Sequence, residues 1–227
     1  MEGKESVLLK KAIKLLSRVA TTAEIAANDK LSMKAMSQQS LLEIKTNIEM
    51  QEKFRAGIML SDIINIKGYI TDIKKGKDKE LIFEYESGGI KKKVTVDTFQ
   101  YPEFYLEHPE ILAHTKVESY VKIPSGLFID SYSEAVNINP YMWFAFKDSF
   151  LEITSIRACS YSSTMECLEG QGSANIHIQA KYLSPLREAS GDFLIKALSI
   201  KDHRVLLVEF NIGDWLAKLY VMPSAHD

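Results

Sequence analysis

Four cations near the start of the chain are spaced so that they could act together. A stretch whose apolar residues recur at helical spacing carries Lys10, Lys11, Lys14 and Arg18. At about 100° per residue, these side chains fall within about 100° of one another around a helix, so they share one face. Such a face can attract the phosphates of a nucleic acid without reading its sequence. An ordinary solvated helix face is the alternative interpretation.

The other chemically active side chains are scattered, and they predict neither a catalytic nor a metal site. No glycine-rich phosphate loop, nucleophile elbow or zinc-type spacing occurs in the sequence. We therefore expect that the chain is not an enzyme and holds no cofactor or metal ion. The dispersed residues are His108, His114, His177, His203, His226, Cys159 and Cys167. Two cysteines are too few for a disulfide framework and predict free thiols in a reducing compartment.

The composition is that of a folded, nearly neutral protein. The 227 residues are 46% hydrophobic, which is enough for one large domain or two ordinary ones. The 28 lysines and arginines face 30 aspartates and glutamates, so any contact with a polyanion must come from a local concentration of cations. Lysines interrupt the first apolar stretch, so we expect neither a signal peptide nor a membrane span there, and a soluble intracellular protein.

The first half of the chain predicts helix, strands, helix and strands. Helical spacing covers Ser6–Val19, with Ser6 as a candidate N-cap. Two alternating runs around the polar turn at residues 37–40 predict strand, turn and strand. A short helix fits "MLSDIINIK", and a hairpin follows it, with a tight turn at Gly88 and Gly89.

The second half repeats this order. A helix is expected after Pro124, then strand, turn and strand in "SFLEITSIRACSYSSTMECL". A second short helix fits "AKYLSPLREAS", and the last strands turn at Asp202-His203 and at Gly213-Asp214. The repetition predicts two equivalent halves.

A long connection without a clean period joins the halves. It carries two prolines and several large apolar side chains, which either pack back onto a sheet or form a docking surface. We predict an N-terminal domain over 1–97, a connector over 98–119 and a C-terminal domain over 120–227.

Four stretches, spread over essentially the whole chain, are similar to motifs of one family and occur in that family's order. These are "SVLLKKAIKLL", "LSMKAMSQQSLLEI", "YVKIPSGLF" and "LLVEFNIGDWLAKLYVMPS". With the internal duplication, they make the chain resemble the DNA sliding clamps of the proliferating cell nuclear antigen (PCNA) family. Four matches in register are much less easily explained by chance than any single match.

The resemblance implies an α+β fold of two similar sliding-clamp domains, with helices inside a ring and antiparallel sheets outside. Such a ring, closed with copies or paralogues, encircles duplex DNA in the nucleus. It serves as processivity factor and recruitment platform for polymerases and repair enzymes in DNA replication, after a clamp loader has placed it on DNA. The alternative is a subunit of the heterotrimeric DNA-damage checkpoint clamp. The sequence leaves open whether a homotrimer or a heterotrimer forms.

Carried over from the family, the candidate DNA-facing residues lie on the predicted helices. The resemblance indicates Lys10, Lys11 and Lys181, and the shared helical face adds Lys14 and Arg18. Lys67 and Arg187 are the remaining candidates. Other positions where the family has cations are occupied here by Asn65, Gly68, Asp130, Ser133 and Glu188. The second domain would therefore line the hole with little positive charge.

The family also implies a pocket between the domains that receives an aromatic and aliphatic peptide motif. The matching positions here are Met36, Leu41, Leu106, Pro109, Met222 and Pro223. Glu43 stands where the family has a hydrophobic residue, which makes this pocket more polar than is usual.

Overall fold

The computed structural model describes residues 3–103, 111, 114–200 and 203–224, and the chain divides into two compact units. Unit 1 comprises Met1–Ser37, Leu42–Pro102 and Ile212–Ala217. Unit 2 comprises Gln38–Leu41, Glu103–Asn211 and Lys218–Asp227. The units are interleaved along the chain, and the linear division at 97 and 119 stays a prediction.

Residues 3–97 form two helices and seven strands. They are α1 Gly3–Ser17, β1 Thr22–Ala27, β2 Lys30–Met36, β3 Ser40–Glu49, β4 Phe54–Met59, α2 Ser61–Ile64, β5 Tyr69–Lys75, β6 Glu80–Ser87 and β7 Ile90–Asp97. Both predicted helices, β2, β3 and the hairpin β6-β7 are present, whereas β1, β4 and β5 were not predicted. Four strands lie side by side in the order β3-β2-β1-β4, and β5-β6-β7 form a three-stranded antiparallel sheet. The hairpin prediction is confirmed, since Gly88 and Gly89 have φ of 61° and 74° between β6 and β7.

Helix α1 packs on the strands of unit 1 through its apolar stripe. The buried members of that stripe are Leu9, Ala12, Ile13, Leu15 and Leu16. The prediction that Ser6 caps the helix is wrong, because α1 begins at Gly3 and Ser6 lies inside it. The Ser6 hydroxyl instead accepts a hydrogen bond from the Ile70 amide on β5 at 2.6 Å. A partner so distant in sequence outweighs the local capping preference.

Unit 2 repeats the pattern with additional strands. The elements of the second half are β8 Thr115–Pro124, α3 Ser125–Ile138, β9 Tyr141–Lys147, β10 Phe150–Ile156, β11 Ser160–Glu166, β12 Glu169–Gln171, β13 Ser173–Gln179, a 3₁₀ helix Ala180–Glu188, β14 Ser190–Ile200, β15 His203–Ile212 and β16 Trp215–Val221. The segment Ile212–Ala217, which includes the turn from β15 to β16, belongs to unit 1. The predicted turn at Gly213-Asp214 joins β15 to β16, whereas Asp202 lies outside the described residues.

Strand order shows the predicted duplication directly. In unit 1 the neighbouring strands are β3-β2-β1-β4, so the third strand in chain order lies first, followed by the second, the first and the fourth. In unit 2 the four-stranded sheet β11-β10-β9-β13 has the same arrangement, because β9, β10, β11 and β13 are its first, second, third and fourth strands in chain order. Each half then ends in a three-stranded meander, β5-β6-β7 or β14-β15-β16. The sheets are mostly antiparallel and the helices few, so the predicted α+β class is confirmed.

An aromatic cluster fills the core of unit 2. Phe128 on α3 lies edge-on to Phe193 on β14, with ring centroids 5.7 Å apart, and Phe193 contacts Phe210 in the same way. All three side chains are 2% exposed or less. Large rings in this geometry bury much apolar area, and they fix α3 against the sheet.

A carboxylate and two ammonium groups connect three neighbouring strands, β14, β15 and β16. Glu209 on β15 is bonded to Lys196 of β14 at 3.0 Å and to Lys218 of β16 at 3.1 Å. Glu209 is half-buried, as expected for an alternating strand position.

Among the described helices, none has the length and apolar character that crossing a membrane requires.

Candidate functional site

The four cations predicted to share a helix face lie in unit 1. Lys10 and Lys11 are half-buried on α1, and Lys14 is exposed one turn later. Arg18 lies just beyond the last helical residue, and its amide donates to the Leu15 carbonyl at 3.1 Å, which continues the helical turn. The structure therefore places all four cations on α1 or on the turn that ends it. Long cationic side chains with apolar stems packed on a helix suit long-range attraction to phosphates.

Lys67 is exposed in the segment between α2 and β5. Its neighbour Gly68, at a position where the family has a cation, has φ of 134°. A β-carbon on Gly68 would also collide with the Glu86 carbonyl. The backbone therefore requires glycine at position 68.

The two candidate cations of unit 2 lie on the 3₁₀ helix against tyrosine rings. The Lys181 ammonium is 4.8 Å from the centre of the Tyr182 ring, and the Arg187 guanidinium is 5.4 Å from that of Tyr132. Burial raises the pKa of Tyr132, and the nearby Arg187 charge reduces that effect. The Tyr132 hydroxyl donates to the Ala180 carbonyl at 3.0 Å. Both cations are exposed and oriented by their rings.

Helix α3 contributes no positive charge, because its sequence contains neither lysine nor arginine. Asp130, Glu134 and Asn137 are exposed on it, and Leu127 is 43% exposed. Ser133 is half-buried. The basic face of α1 therefore has no equivalent on the helix that corresponds to it in unit 2.

The predicted partner-binding residue of unit 1, Met36, is half-buried at the end of β2. Its amide donates to the Tyr101 hydroxyl at 2.9 Å, and that hydroxyl lies 3.4 Å from the Thr22 carbonyl on β1. Tyr101 is 6% exposed. Sequence reasoning missed Tyr101, which fastens the first residues of the predicted connector beside Met36.

In unit 2, the other predicted partner-binding residues differ in accessibility. Leu41 is 1% exposed, so its side chain serves as core in this structure, whereas Met222 and Pro223 are half-buried. The Met222 amide donates to the Gln39 carbonyl at 2.8 Å, which holds the end of the last strand. Leu106 and Pro109 lie outside the described residues.

A second anchor of the C-terminal segment was also missed from the sequence. The Ser224 hydroxyl is 2.8 Å from His177 Nδ1, and the Ser224 amide donates to the His177 carbonyl at 3.0 Å. The His177 ring stacks on Trp143 with centroids 4.2 Å apart. His177 is 8% exposed and belongs to a packed aromatic group. No local sequence signal distinguishes it from the other histidines.

Titratable groups do not gather into a metal site in the part of the chain that the structure describes. Cys159 is an exposed free thiol and Cys167 a buried one, and burial raises the pKa of Cys167. A buried thiol with a raised pKa is a poor nucleophile near neutral pH.

Comparison with known proteins identifies the fold. No family model matches the sequence, and no curated protein matches it. A solved structure, the PCNA2–PCNA3 complex from Sulfolobus tokodaii, contains a chain that is similar over 97% of this chain and 97% of its own, with a TM-score of 0.76. The two sequences are 13% identical, so the similarity concerns the fold. The chain has the PCNA-like sliding-clamp fold, as the four sequence motifs predicted.

Proposed function

We propose that this chain is one subunit of a ring that encircles duplex DNA and slides along it. The proposal is supported by the clamp fold over 97% of the chain together with the basic face of α1. Cations on a helix that faces the duplex hold a protein on DNA through phosphates alone, and this permits sliding because no base is read. The α1 cations are the observation that carries the proposal.

The proposed DNA-contacting residues form a main group on α1 and an additional group elsewhere. Lys10, Lys11, Lys14 and Arg18 form the main contact surface on α1. Lys67 in unit 1 and the ring-supported Lys181 and Arg187 in unit 2 add to it. Long-range attraction needs accessible charge rather than fixed geometry, and all three added cations are exposed.

Within this role, we propose a non-catalytic platform that tethers polymerases and repair enzymes to DNA in the nucleus and is loaded by a clamp loader. Met36, Met222 and Pro223 are the described residues to test first as contacts of client peptides, with Leu106 and Pro109 of the connector. Leu41 would support that surface from the core, because its own side chain is 1% exposed.

Assembly with other clamp subunits is part of the proposal, since the similar solved structure is a complex of PCNA2 with PCNA3. The replication role is expected to use a ring of identical chains. The second candidate function is a subunit of the heterotrimeric DNA-damage checkpoint clamp. It is favoured by α3, which exposes Asp130 and Glu134 and carries no cation, because other subunits would then have to supply the missing positive charge.

The test of the clamp proposal is retention on circular duplex DNA after loading. Reversing the charge of Lys10, Lys11, Lys14 and Arg18 to glutamate should abolish retention on a closed circle. The matched control reverses Lys45, Lys75, Lys77 and Lys79, which are exposed elsewhere in unit 1. We expect the control to behave like wild type. Unchanged retention of the α1 variant would refute the proposal.

Light scattering during size-exclusion chromatography separates the two candidate roles. A trimer mass for the chain alone supports the replication clamp. A monomer that forms a ring only with two different chains would exclude a homotrimeric replication clamp and is the result expected for a checkpoint subunit.

A further inference from the structure

In each half of the chain, the segment that follows the last strand returns to the fourth strand of that half. In unit 1, Phe99 and Gly57 of β4 exchange two backbone hydrogen bonds, at 2.8 and 3.0 Å. In unit 2, the Ser224 amide donates to the His177 carbonyl of β13 at 3.0 Å. Gly57 and His177 are therefore equivalent positions of the duplicated fold.

The register extends this equivalence to the neighbouring strand of each sheet. Gly57 lies opposite Glu24 on β1, and His177 lies opposite Trp143 on β9. On both strands the next residue along the chain is buried in the core of its unit. Because side chains alternate along a strand, Glu24 and Trp143 both point to the outer face of their sheet, away from that core.

The first residues of the connector cover this outer face in unit 1. A β-carbon on Gly57 would lie 2.6 Å from the Phe99 ring, so the ring occupies the space above Gly57. Two residues later, the Tyr101 hydroxyl accepts a hydrogen bond from the Met36 amide at 2.9 Å. Glu24, the neighbour of Gly57, is only 5% exposed. A segment of the chain itself therefore shields the outer face of unit 1.

The equivalent face of unit 2 is accessible. The His177 ring stacks on Trp143 with centroids 4.2 Å apart, yet Trp143 is 40% exposed. Ile156 on β10, the counterpart of the half-buried Met36 by register, is 51% exposed. Tyr141, two residues before Trp143, is half-buried on the same face. We call Tyr141, Trp143 and Ile156 the open face.

A cation borders the open face. Arg157 directly follows Ile156, is exposed, and forms no ion pair with any residue that the structure describes. The Glu152 carboxylate, on the same strand, is held by the Lys147 ammonium at 2.8 Å and by the Ser162 hydroxyl at 2.9 Å, and these bonds lower the pKa of Glu152. An acidic group on a partner would therefore complement the charge beside the open face.

We propose that the open face docks an extended segment of a partner protein, in which an aromatic residue is followed within two positions by an acidic residue. The connector is the template for this occupant, because Tyr101 covers the equivalent face of unit 1 and is followed by Pro102 and Glu103. The aromatic ring of the partner packs on the open face, and its carboxylate pairs with Arg157. This inference rests on the proposed platform function and names the chemistry of one class of client.

The open face is continuous with the end of the chain. The His177 ring that supports Trp143 is bonded through Nδ1 to the Ser224 hydroxyl at 2.8 Å. Ser224 follows Met222 and Pro223, which are proposed contacts of client peptides. A client held at that segment can therefore extend onto the open face, which is a separate surface on the outside of β9 and β10.

A labelled peptide can probe the open face in the full chain. The probe is Thr-Phe-Gln-Tyr-Pro-Glu, the sequence of residues 98–103, with binding followed by fluorescence anisotropy and by amide exchange over Tyr141–Lys147. One control peptide has serine in place of tyrosine, and another has lysine in place of glutamate. We expect the probe to bind about tenfold more tightly than the serine peptide, because a buried aromatic anchor is lost. We expect it to bind about threefold more tightly than the lysine peptide, because a surface ion pair is lost.

Protein variants assign the binding to the open face. Ile156→Thr should weaken probe binding about tenfold, because an apolar contact surface is lost at an exposed strand position. The matched control is Phe150→Thr, which removes a 44% exposed apolar side chain at the other end of the same face of β10 and should bind like wild type. Arg157→Glu should reverse the preference toward the lysine peptide. Trp143→Thr should also abolish binding, and Ile156→Thr keeps the test valid if the loss of the His177 stacking partner unfolds that variant.

Four outcomes would overturn the inference. Equal binding of the serine peptide would show that no aromatic side chain is recognised. Wild-type affinity of Ile156→Thr would place the peptide elsewhere. Slowed exchange over Thr22–Ala27 alone would show that the probe replaces the connector on unit 1. A dimer of this chain that Ile156→Thr dissociates would show that a second copy occupies the open face.

Failure of this inference is distinguishable from failure of the clamp proposal, because no DNA is present in these experiments. If the probe does not bind while the α1 variant loses its circular DNA, the open face has no such occupant and the clamp proposal stands. If the probe binds as expected while the α1 variant is retained on DNA, the clamp proposal fails and the docking surface stands.

Discussion

Leu8 and Gly213 approach so closely that a β-carbon on Gly213 would stand 2.9 Å from Leu8 Cδ2. Gly213 also has φ of 65°, in the left-handed region that side chains disfavour. We expect Gly213→Ala to lower the free energy of unfolding of unit 1 by about 1 to 2 kcal/mol, measured by urea denaturation. The control is Gly126→Ala on α3, where no atom lies within 4 Å of the new β-carbon. An equal loss in both variants would contradict this explanation.

Ser6→Ala should destabilise unit 1, because the buried Ile70 amide would lose its acceptor at 2.6 Å. An unsatisfied buried donor costs about 1 to 3 kcal/mol. Hydrogen exchange of the Ile70 amide should accelerate in the same variant. Ser17→Ala is the matched control on the same helix, since the Ser17 hydroxyl bonds the Lys14 carbonyl at an exposed site. A change confined to Ser17→Ala would refute the assignment.

Glu209→Gln should make stability less dependent on pH. Burial alone would raise the pKa of Glu209, but hydrogen bonds from Lys196 and Lys218 and their charges hold this pKa below its ordinary value. A carboxyl with a lowered folded pKa stabilises the fold above its unfolded pKa, and this stabilisation is lost as the pH falls through the folded value. The variant should therefore be less stable than wild type at neutral pH, by about 1 to 3 kcal/mol.

The difference between Glu209→Gln and wild type should shrink as the pH falls below the ordinary pKa of a glutamate and through the lowered pKa of Glu209, as measured by thermal melting across acid pH. Glu134→Gln, at an exposed site on α3, serves as the control. A difference that persists unchanged in acid would show that packing, rather than charge, stabilises this site.

Tyr101→Phe should loosen the start of the predicted connector. The change removes the hydroxyl that accepts from the Met36 amide at 2.9 Å, at a cost of about 1 kcal/mol. Amide exchange at Met36 should accelerate, while Tyr85→Phe, on the half-buried face of β6, should leave it unchanged. Normal exchange at Met36 in Tyr101→Phe would mean that another group holds this segment.

Binding to linear duplex DNA should weaken steeply with salt. Each phosphate contact contributes about 0.9 to the slope of log affinity against log salt, so Lys14→Gln should reduce the slope by about 1 whatever the DNA sequence. Lys45→Gln, an exposed change on β3, should leave the slope as it is. Fluorescence titrations over a salt series measure both.

Local patterns predicted most of the fold. The apolar period of α1, the Gly88-Gly89 pair and the Gly213-Asp214 turn are signals carried by a few neighbouring residues, and all three are present as predicted. The duplication was also visible, because each half repeats the same order of local signals. Strand order confirms it.

Features that depend on distant partners could not be predicted. The local sequence predicted Ser6 as a helix cap, whereas the fold places its hydroxyl against the Ile70 amide. No local pattern indicates that the Tyr101 hydroxyl accepts a hydrogen bond from the Met36 amide. The requirement for glycine at position 68 arises from the Glu86 carbonyl, which lies on a later strand. Each case needs the tertiary structure, since the residues concerned are far apart in the chain.

The inclusion of Ile212–Ala217 in unit 1 has a consequence for synthesis on the ribosome. Domains generally fold in the order in which they emerge, the N-terminal one first. Here residues 103–211 must be made before Trp215 can take its buried place in unit 1 and the Gly213 turn can cover Leu8. Unit 1 therefore completes its folding only after the chain has been translated beyond Ala217, although most of its residues precede unit 2.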